Sequence, residues 1–213
     1  MAINTPLEKA LESEEFKTLN TKFRPLSAME FDYEILKEDG AISYGVVDGN
    51  ENVVFIKSGA GGGHIGYENK YLHIAHILHK RDGSTVISAS NPSDELSRKY
   101  DIEVLNEIIK DKPSPIIKFI GISKGATLGL TVLSEQVNIE KLLLINMPLM
   151  LNFHKTIKAI KDKNILFVFG EQDPSASYTP FLKRYTENIM IIEGADHQFK
   201  GQTEELIKLC ELI

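Results

Sequence analysis

Gly121-Ile122-Ser123-Lys124-Gly125 comes directly after the apolar run Ile116-Ile117-Lys118-Phe119-Ile120. A G-x-S-x-G pentapeptide at the point where a buried strand gives way to a helix admits few folds, because the turn leaves no room for side chains on its flanks. Glycines take those flanks, and the serine hydroxyl is lifted above the end of the sheet. Alone, such a pentapeptide recurs by chance; the order of the motifs downstream of it gives it weight. A second apolar run, Ile165-Leu166-Phe167-Val168-Phe169, ends in Gly170-Glu171-Gln172-Asp173-Pro174. A third, Ile189-Met190-Ile191-Ile192, ends in Glu193-Gly194-Ala195-Asp196-His197. An acid and a histidine therefore each fall just past a predicted strand, in the order Ser, Asp, His. That set has a chemical logic. A serine hydroxyl is a poor nucleophile until an imidazole takes its proton, and the imidazole needs a carboxylate to fix its tautomer and stabilise its charge.

From about Val53 to Phe199, roughly two thirds of the chain, the sequence resembles the α/β-hydrolase fold, whose triad has this chain order. Gly194-Ala195-Asp196-His197-Gln198-Phe199 and Gly170-Glu171-Gln172-Asp173-Pro174 are similar to that family's histidine and acid loops. The resemblance implies Ser123 as nucleophile, Asp173 as orienting acid and His197 as general base. It also implies an oxyanion hole of two backbone N–H groups, one from the residue after the nucleophile, Lys124. The other belongs to the loop after the third strand, Ser58-Gly59-Ala60-Gly61-Gly62-Gly63-His64. The family's usual His-Gly opening is Ser58-Gly59 in this chain, so the donor is expected at Ala60, with Gly61 in reserve. The implied activity is hydrolysis of an ester or thioester bond in a small-molecule acyl substrate through an acyl-serine intermediate, with no metal and no cofactor. An acyltransferase on the same three residues, or a ligand-binding descendant of the fold without turnover, are the alternatives. The Ser-Lys-Gly elbow and short scaffold also resemble, loosely, the thioesterase and dienelactone-hydrolase branches.

The same glycine loop, Gly61-Gly62-Gly63-His64-Ile65-Gly66, satisfies G-x-G-x-x-G, the dinucleotide fingerprint. That fingerprint should be answered by an acid at the tip of the next strand. The next strand, Ser84 to Ser90, ends in Asn91-Pro92 instead, and strand-like sequence already precedes the loop. No G-K-[ST] phosphate loop is present either.

Alternating strands and helices predict a mostly parallel sheet of about seven or eight strands with helices on both faces. Phe31–Leu36 and Ala41–Val47 read as a hairpin about Asp39-Gly40. Then come a strand at Val53, a helix Tyr67–Lys80, a strand at Thr85, and a helix from about Ser93 to Lys110. The helix Ala126–Gln136 is apolar nearly all round, as expected behind a nucleophile. A strand Leu142–Asn146, a helix about Phe153–Ile160, the two motif strands and a terminal helix from Thr203 complete the chain. Only sixteen residues separate Pro148 from Ile165, enough for one helix and too few for a cap domain. Thr5-Pro6-Leu7-Glu8 has a capping-box form, predicting a helix from Pro6 to about Lys17 within an N-terminal extension, residues 1–26. It is read as packing on the sheet's edge or covering the site.

At 213 residues the chain suits a single α/β domain, residues 1–213. A net charge of −6 argues against nucleic-acid or anionic-membrane partners, which select a basic face. The longest apolar stretch, Leu142–Leu151, is too short to span a bilayer. No signal-peptide pattern opens the chain, and the single cysteine, Cys210, precludes an internal disulfide and suits a reducing cytoplasm. Cys210 itself reads as a packing residue. The sequence leaves room for a homo-oligomer.

Glu171 and Asp196 flank the site as rival acids, although Asp196, beside the histidine in sequence, is poorly placed to turn back on it. Asp173 also reads as a cap ahead of Pro174. His73, His76 and His79 lie three apart on one helix; three histidines over two turns converge poorly on one ion, so no metal site is expected. His64, Tyr67 and Met147 stand beside predicted strand tips and are weak candidates for substrate contact, with the core as the other reading for Tyr67 and Met147. The Lys124 side chain is a weak candidate for attracting an acyl carboxylate.

Overall fold

A computed structural model of the protein describes residues 29–92 and 97–213. The chain divides into two units, Met1–Glu30 and Phe31–Ile213, and every element below belongs to the second. The expected helix from Pro6 to Lys17 lies outside the described residues.

The hairpin is formed by β1 (Tyr33–Lys37) and β2 (Ile42–Val47), joined by a short 3₁₀ turn through Asp39 and Gly40. After it come β3 (Val53–Lys57), α1 (Lys70–Asp82), β4 (Thr85–Ala89), α2 (Ser97–Ile109) and β5 (Ile117–Ile122). The helix after β5 begins as α3 (Lys124–Leu128), widens into a π-helical turn at Gly129–Leu133 and finishes as α4 (Ser134–Gln136). The remaining elements are β6 (Lys141–Ile145), α5 (Leu149–Ala159), β7 (Ile165–Gly170), α6 (Thr179–Leu182), β8 (Ile189–Ile192) and α7 (Thr203–Cys210). The eight strands make one sheet in the order β1-β2-β4-β3-β5-β6-β7-β8. β2 runs antiparallel to both neighbours, and all pairs from β4 to β8 are parallel.

The central strands are apolar at nearly every position because successive side chains point to opposite faces and both faces are covered. Val53, Phe55, Phe119, Leu142, Leu144, Phe167 and Phe169 enter one core with residues of α2, α5 and the helix behind Ser123. Val54, Ile56, Ile120, Leu143, Ile145 and Val168 enter the other, against α1 and α7. Cys210 lies in this second core, and burial pushes its thiol up to about 12. Among the described residues, no helix is long and apolar enough to cross a membrane.

Sequence and structure part at element ends. α1 starts at Lys70 because Tyr67–Asn69 form a separate 3₁₀ turn, with Glu68 and Asn69 both at positive φ. α5 begins four residues before Phe153, at Leu149, directly after Pro148. Between β6 and β7 the chain builds α5 and no larger insertion.

Candidate active site

Ser123 stands between β5 and α3 with φ 53° and ψ −123°, a strained backbone for a residue with a side chain. Its N–H donates to the Ile145 carbonyl at the tip of β6, 2.8 Å away. Close packing on both flanks explains the two glycines. A Cβ at Gly121 would come within 2.4 Å of Ala126 Cα, and one at Gly125 within 2.4 Å of the Lys57 carbonyl. The elbow is thus wedged between its own helix and the end of β3.

His197 reaches this point from the loop after β8. Its Nδ1 contacts Asp173 Oδ2 in a short hydrogen bond, and its Nε2 lies 3.0 Å from Ser123 Oγ. A carboxylate only accepts, so Nδ1 carries the proton and the Nε2 lone pair is left for the Ser123 hydroxyl. Asp173 is 3% exposed, and its second oxygen accepts the Ser175 N–H at 2.7 Å. The carboxylate therefore caps the turn after Pro174 with one oxygen and holds the imidazole with the other. The hydrogen bond to Asp173 holds the His197 imidazole above its ordinary range, against partial burial that pulls it down.

The rival acids are engaged elsewhere. Glu171 accepts the Gly194 N–H, and Asp196 Oδ1 accepts the N–H groups of Gln198 and Lys200 at 2.9 and 3.0 Å. Those backbone donors, Lys200 foremost, hold Asp196 below the usual carboxylate range.

Asn146, which sequence reasoning passed over, fastens the histidine loop. It is fully buried at φ 48°, and its amide donates to the carbonyls of Asp196 (3.2 Å) and His197 (2.9 Å). Its Oδ1 accepts the Gly170 N–H at 2.8 Å, tying the acid strand to the same point. One side chain thus sets the spacing between the ends of β6, β7 and β8. The only sequence signal was an amide interrupting an otherwise apolar run.

The glycine loop lies against the serine: a Cβ on Gly59 would sit 3.3 Å from Ser123 Cβ. Asn91 holds this loop, donating its side-chain amide to the Ser58 carbonyl and its backbone N–H to Gly62 O. Asn91 also accepts the Gly61 N–H at 2.7 Å. Gly61, the reserve oxyanion donor, has its N–H committed to that bond. Among the described residues no protein acceptor takes the Ala60 N–H. Lys124 opens α3, where N–H groups project from the helix end.

Two clefts meet at Ser123. One, of about 630 Å³, passes His197, Tyr67, Lys70, Phe199 and Lys200. The other, of about 850 Å³, runs from Ala60 and Ser123 between the nucleophile helix and α5. Tyr67 is 72% exposed at the edge of the first. The other two weak candidates turn elsewhere. Met147 is fully buried in the core beneath the site, its side chain directed into the sheet's face. His64 is drawn toward the hairpin, with Nδ1 2.7 Å from Ser43 Oγ and Nε2 2.9 Å from Glu34, so it lines neither cleft. The histidines of α1 face different tasks: His79 Nδ1 lies 3.0 Å from the Ser84 carbonyl, while His73 is lowered by burial.

No protein-family model matches the chain, and no curated protein does. Solved structures do. An α/β serine hydrolase homologue from Coxiella burnetii superposes with a TM-score of 0.65 at 16% identity, covering 84% of this chain and 96% of that one. The chain has the α/β-hydrolase fold. An esterase from Pyrococcus furiosus matches with a TM-score of 0.58 at 16% identity, over 89% of this chain and 93% of its own. A serine hydrolase described as lacking a lid, from Xanthomonas campestris, gives 0.58 at 17% identity, over 80% and 87%. In this scaffold the connection between β6 and β7 is the single helix α5.

Proposed function

We propose that the protein is a serine hydrolase that cleaves a carboxylic ester or thioester in a small-molecule acyl substrate through an acyl-serine intermediate. The observation that carries this reading is the hydrogen-bonded run from Asp173 through His197 to Ser123, assembled from three strand ends. This geometry supports nucleophilic acyl transfer. As Ser123 Oγ bonds to the substrate carbonyl carbon, its proton passes to His197 Nε2 and the carbonyl electron pair moves onto oxygen. Asp173 stabilises the imidazolium that results. The oxyanion is met by the N–H groups of Ala60 and Lys124, which gain most where charge develops. The bond to the leaving group then breaks, and the leaving group takes the proton from His197. Water repeats the sequence: its proton goes to His197, its oxygen bonds to the acyl carbon, and Ser123 Oγ departs with the proton. The strained backbone at Ser123 fits a group held for reaction. The likeness to hydrolases and an esterase supports the class of reaction.

The test is covalent labelling by a fluorophosphonate probe together with p-nitrophenyl butyrate turnover. Both are expected in the wild-type protein and both should vanish in Ser123→Ala. Labelling that persists in Ser123→Ala would remove the serine from its role.

A further inference from the structure

The larger cleft at Ser123 has a charge pattern at odds with the rest of the chain. Its floor is one stripe of the nucleophile helix: Lys124, Thr127, Thr131 and Glu135, spaced at three and four residues. Its far wall is α5, which presents Lys155 and Lys158 one turn apart, and Arg98 of α2 joins them. Among the described residues the lining holds four cations against one carboxylate, on a chain whose net charge is −6. Ser123 and Ala60 stand at the head of the same groove.

We propose that this groove binds an anionic group, a carboxylate or phosphate, carried on an extended limb of the substrate whose carbonyl sits at Ser123. The inference rests on the acyl-serine reading and names the substrate class that reading leaves open. A concave site lined by one sign of charge raises the local concentration of the opposite sign. Screening confines this attraction to about 8 Å at physiological salt, so the anion must enter the groove itself. From Pro148, in the groove, to Lys155 is seven residues of helix, about 10 Å. An extended chain advances about 3.3–3.6 Å for every three bonds, so a limb of roughly eight or nine bonds matches that length of groove. The limb is either the acyl chain or the leaving group; the lining chemistry is the same for both.

Two substrate pairs distinguish them. On the acyl side, the mono-p-nitrophenyl esters of adipic, suberic and sebacic acid are compared with their neutral methyl-capped diesters. On the leaving-group side, the hexanoyl thioester of 8-mercaptooctanoic acid is compared with the hexanoyl thioester of its methyl ester. The proposal expects kcat/KM to favour the anionic member of at least one pair by about tenfold, on the scale of two exposed ion pairs. On the acyl side the preference should grow toward sebacate, and in either case it should shrink with added salt. In Lys155→Gln/Lys158→Gln the anionic-to-neutral ratio should fall toward one. Equal rates for both members of both pairs would overturn the proposal, as would an undiminished ratio in the double variant. Turnover of neutral esters with no anionic preference rejects the groove's role alone. No turnover of any substrate, with no fluorophosphonate labelling, rejects the acyl-serine reading and the groove's role with it.

Discussion

Lys57 is the last residue of β3, fully buried one position before the loop that faces Ser123. Its ammonium lies 2.8 Å from Asp101 Oδ1 and donates to the Ser90 carbonyl at 2.7 Å, while the Tyr44 hydroxyl donates to the same carboxylate oxygen at 3.0 Å. Lys57→Met keeps the length of the side chain and removes the charge. Asp101, 1% exposed, then keeps a buried carboxylate without its cation, which costs about 3–5 kcal/mol. The orphaned Ser90 carbonyl adds about 1–3 kcal/mol. Against a whole-domain stability of about 5–15 kcal/mol, the variant should be close to its unfolding threshold at neutral pH. Lys57→Met/Asp101→Leu removes both charges and leaves the Tyr44 hydroxyl and the Ser90 carbonyl short of a partner. It should recover about 3 kcal/mol over the single variant. Acidification should narrow the deficit of the single variant. Burial already raises the Asp101 carboxyl in the native protein, and losing Lys57 raises it further. The folded variant therefore binds a proton more tightly than the unfolded chain. Its penalty is full above the raised native value and fades as pH falls toward the ordinary carboxylate range. Urea titrations followed by far-ultraviolet circular dichroism at neutral and acidic pH measure all three quantities. A single variant within about 1 kcal/mol of wild type, or a double variant no more stable than the single, would refute the argument.

The site carries two further expected outcomes. In the proposed mechanism His197 is a neutral base raised by Asp173, so the acid limb of kcat/KM should lie on the alkaline side of the ordinary imidazole value of 6.5; Asp173→Asn should move the limb down and lower kcat by about four orders of magnitude, read from pH–rate profiles. Asn146→Ala removes two donated bonds to the histidine loop and one accepted bond from the end of β7, so it should cost about 2–4 kcal/mol in urea titrations and lower kcat at least tenfold with KM little changed.

The fold was legible because its central strands are buried on both faces and therefore read as largely apolar runs with turn-forming residues beyond their ends. The candidate serine, acid and histidine were legible for a related reason: each comes shortly after such a run, where the chain leaves the sheet. The supports were not. Lys57 reads from sequence as a charged strand end bound for solvent, and only the pairing of β3 between β4 and β5 buries it against Asp101. Asn146 and Asn91 read as interruptions because their partners are backbone carbonyls and N–H groups, which sequence does not distinguish. Gly61 was misplaced by the same blindness, since its N–H is claimed by the Asn91 carbonyl. His64 and Met147 show that adjacency to a strand tip does not fix the side a residue faces. Neighbouring residues there diverge, and a polar partner at the hairpin or a space in the core decides the direction.

The imidazole hangs from the outermost ribbon of the sheet. β8 is four residues long, pairs with β7 alone among the described residues, and leaves its two middle residues exposed. Margins of this kind open before the interior does, at a fraction of the free energy that undoes the whole domain. Turnover should consequently be the first property to disappear as denaturant rises, with helices and inner strands still intact. The catalyst would fail by losing one short seam.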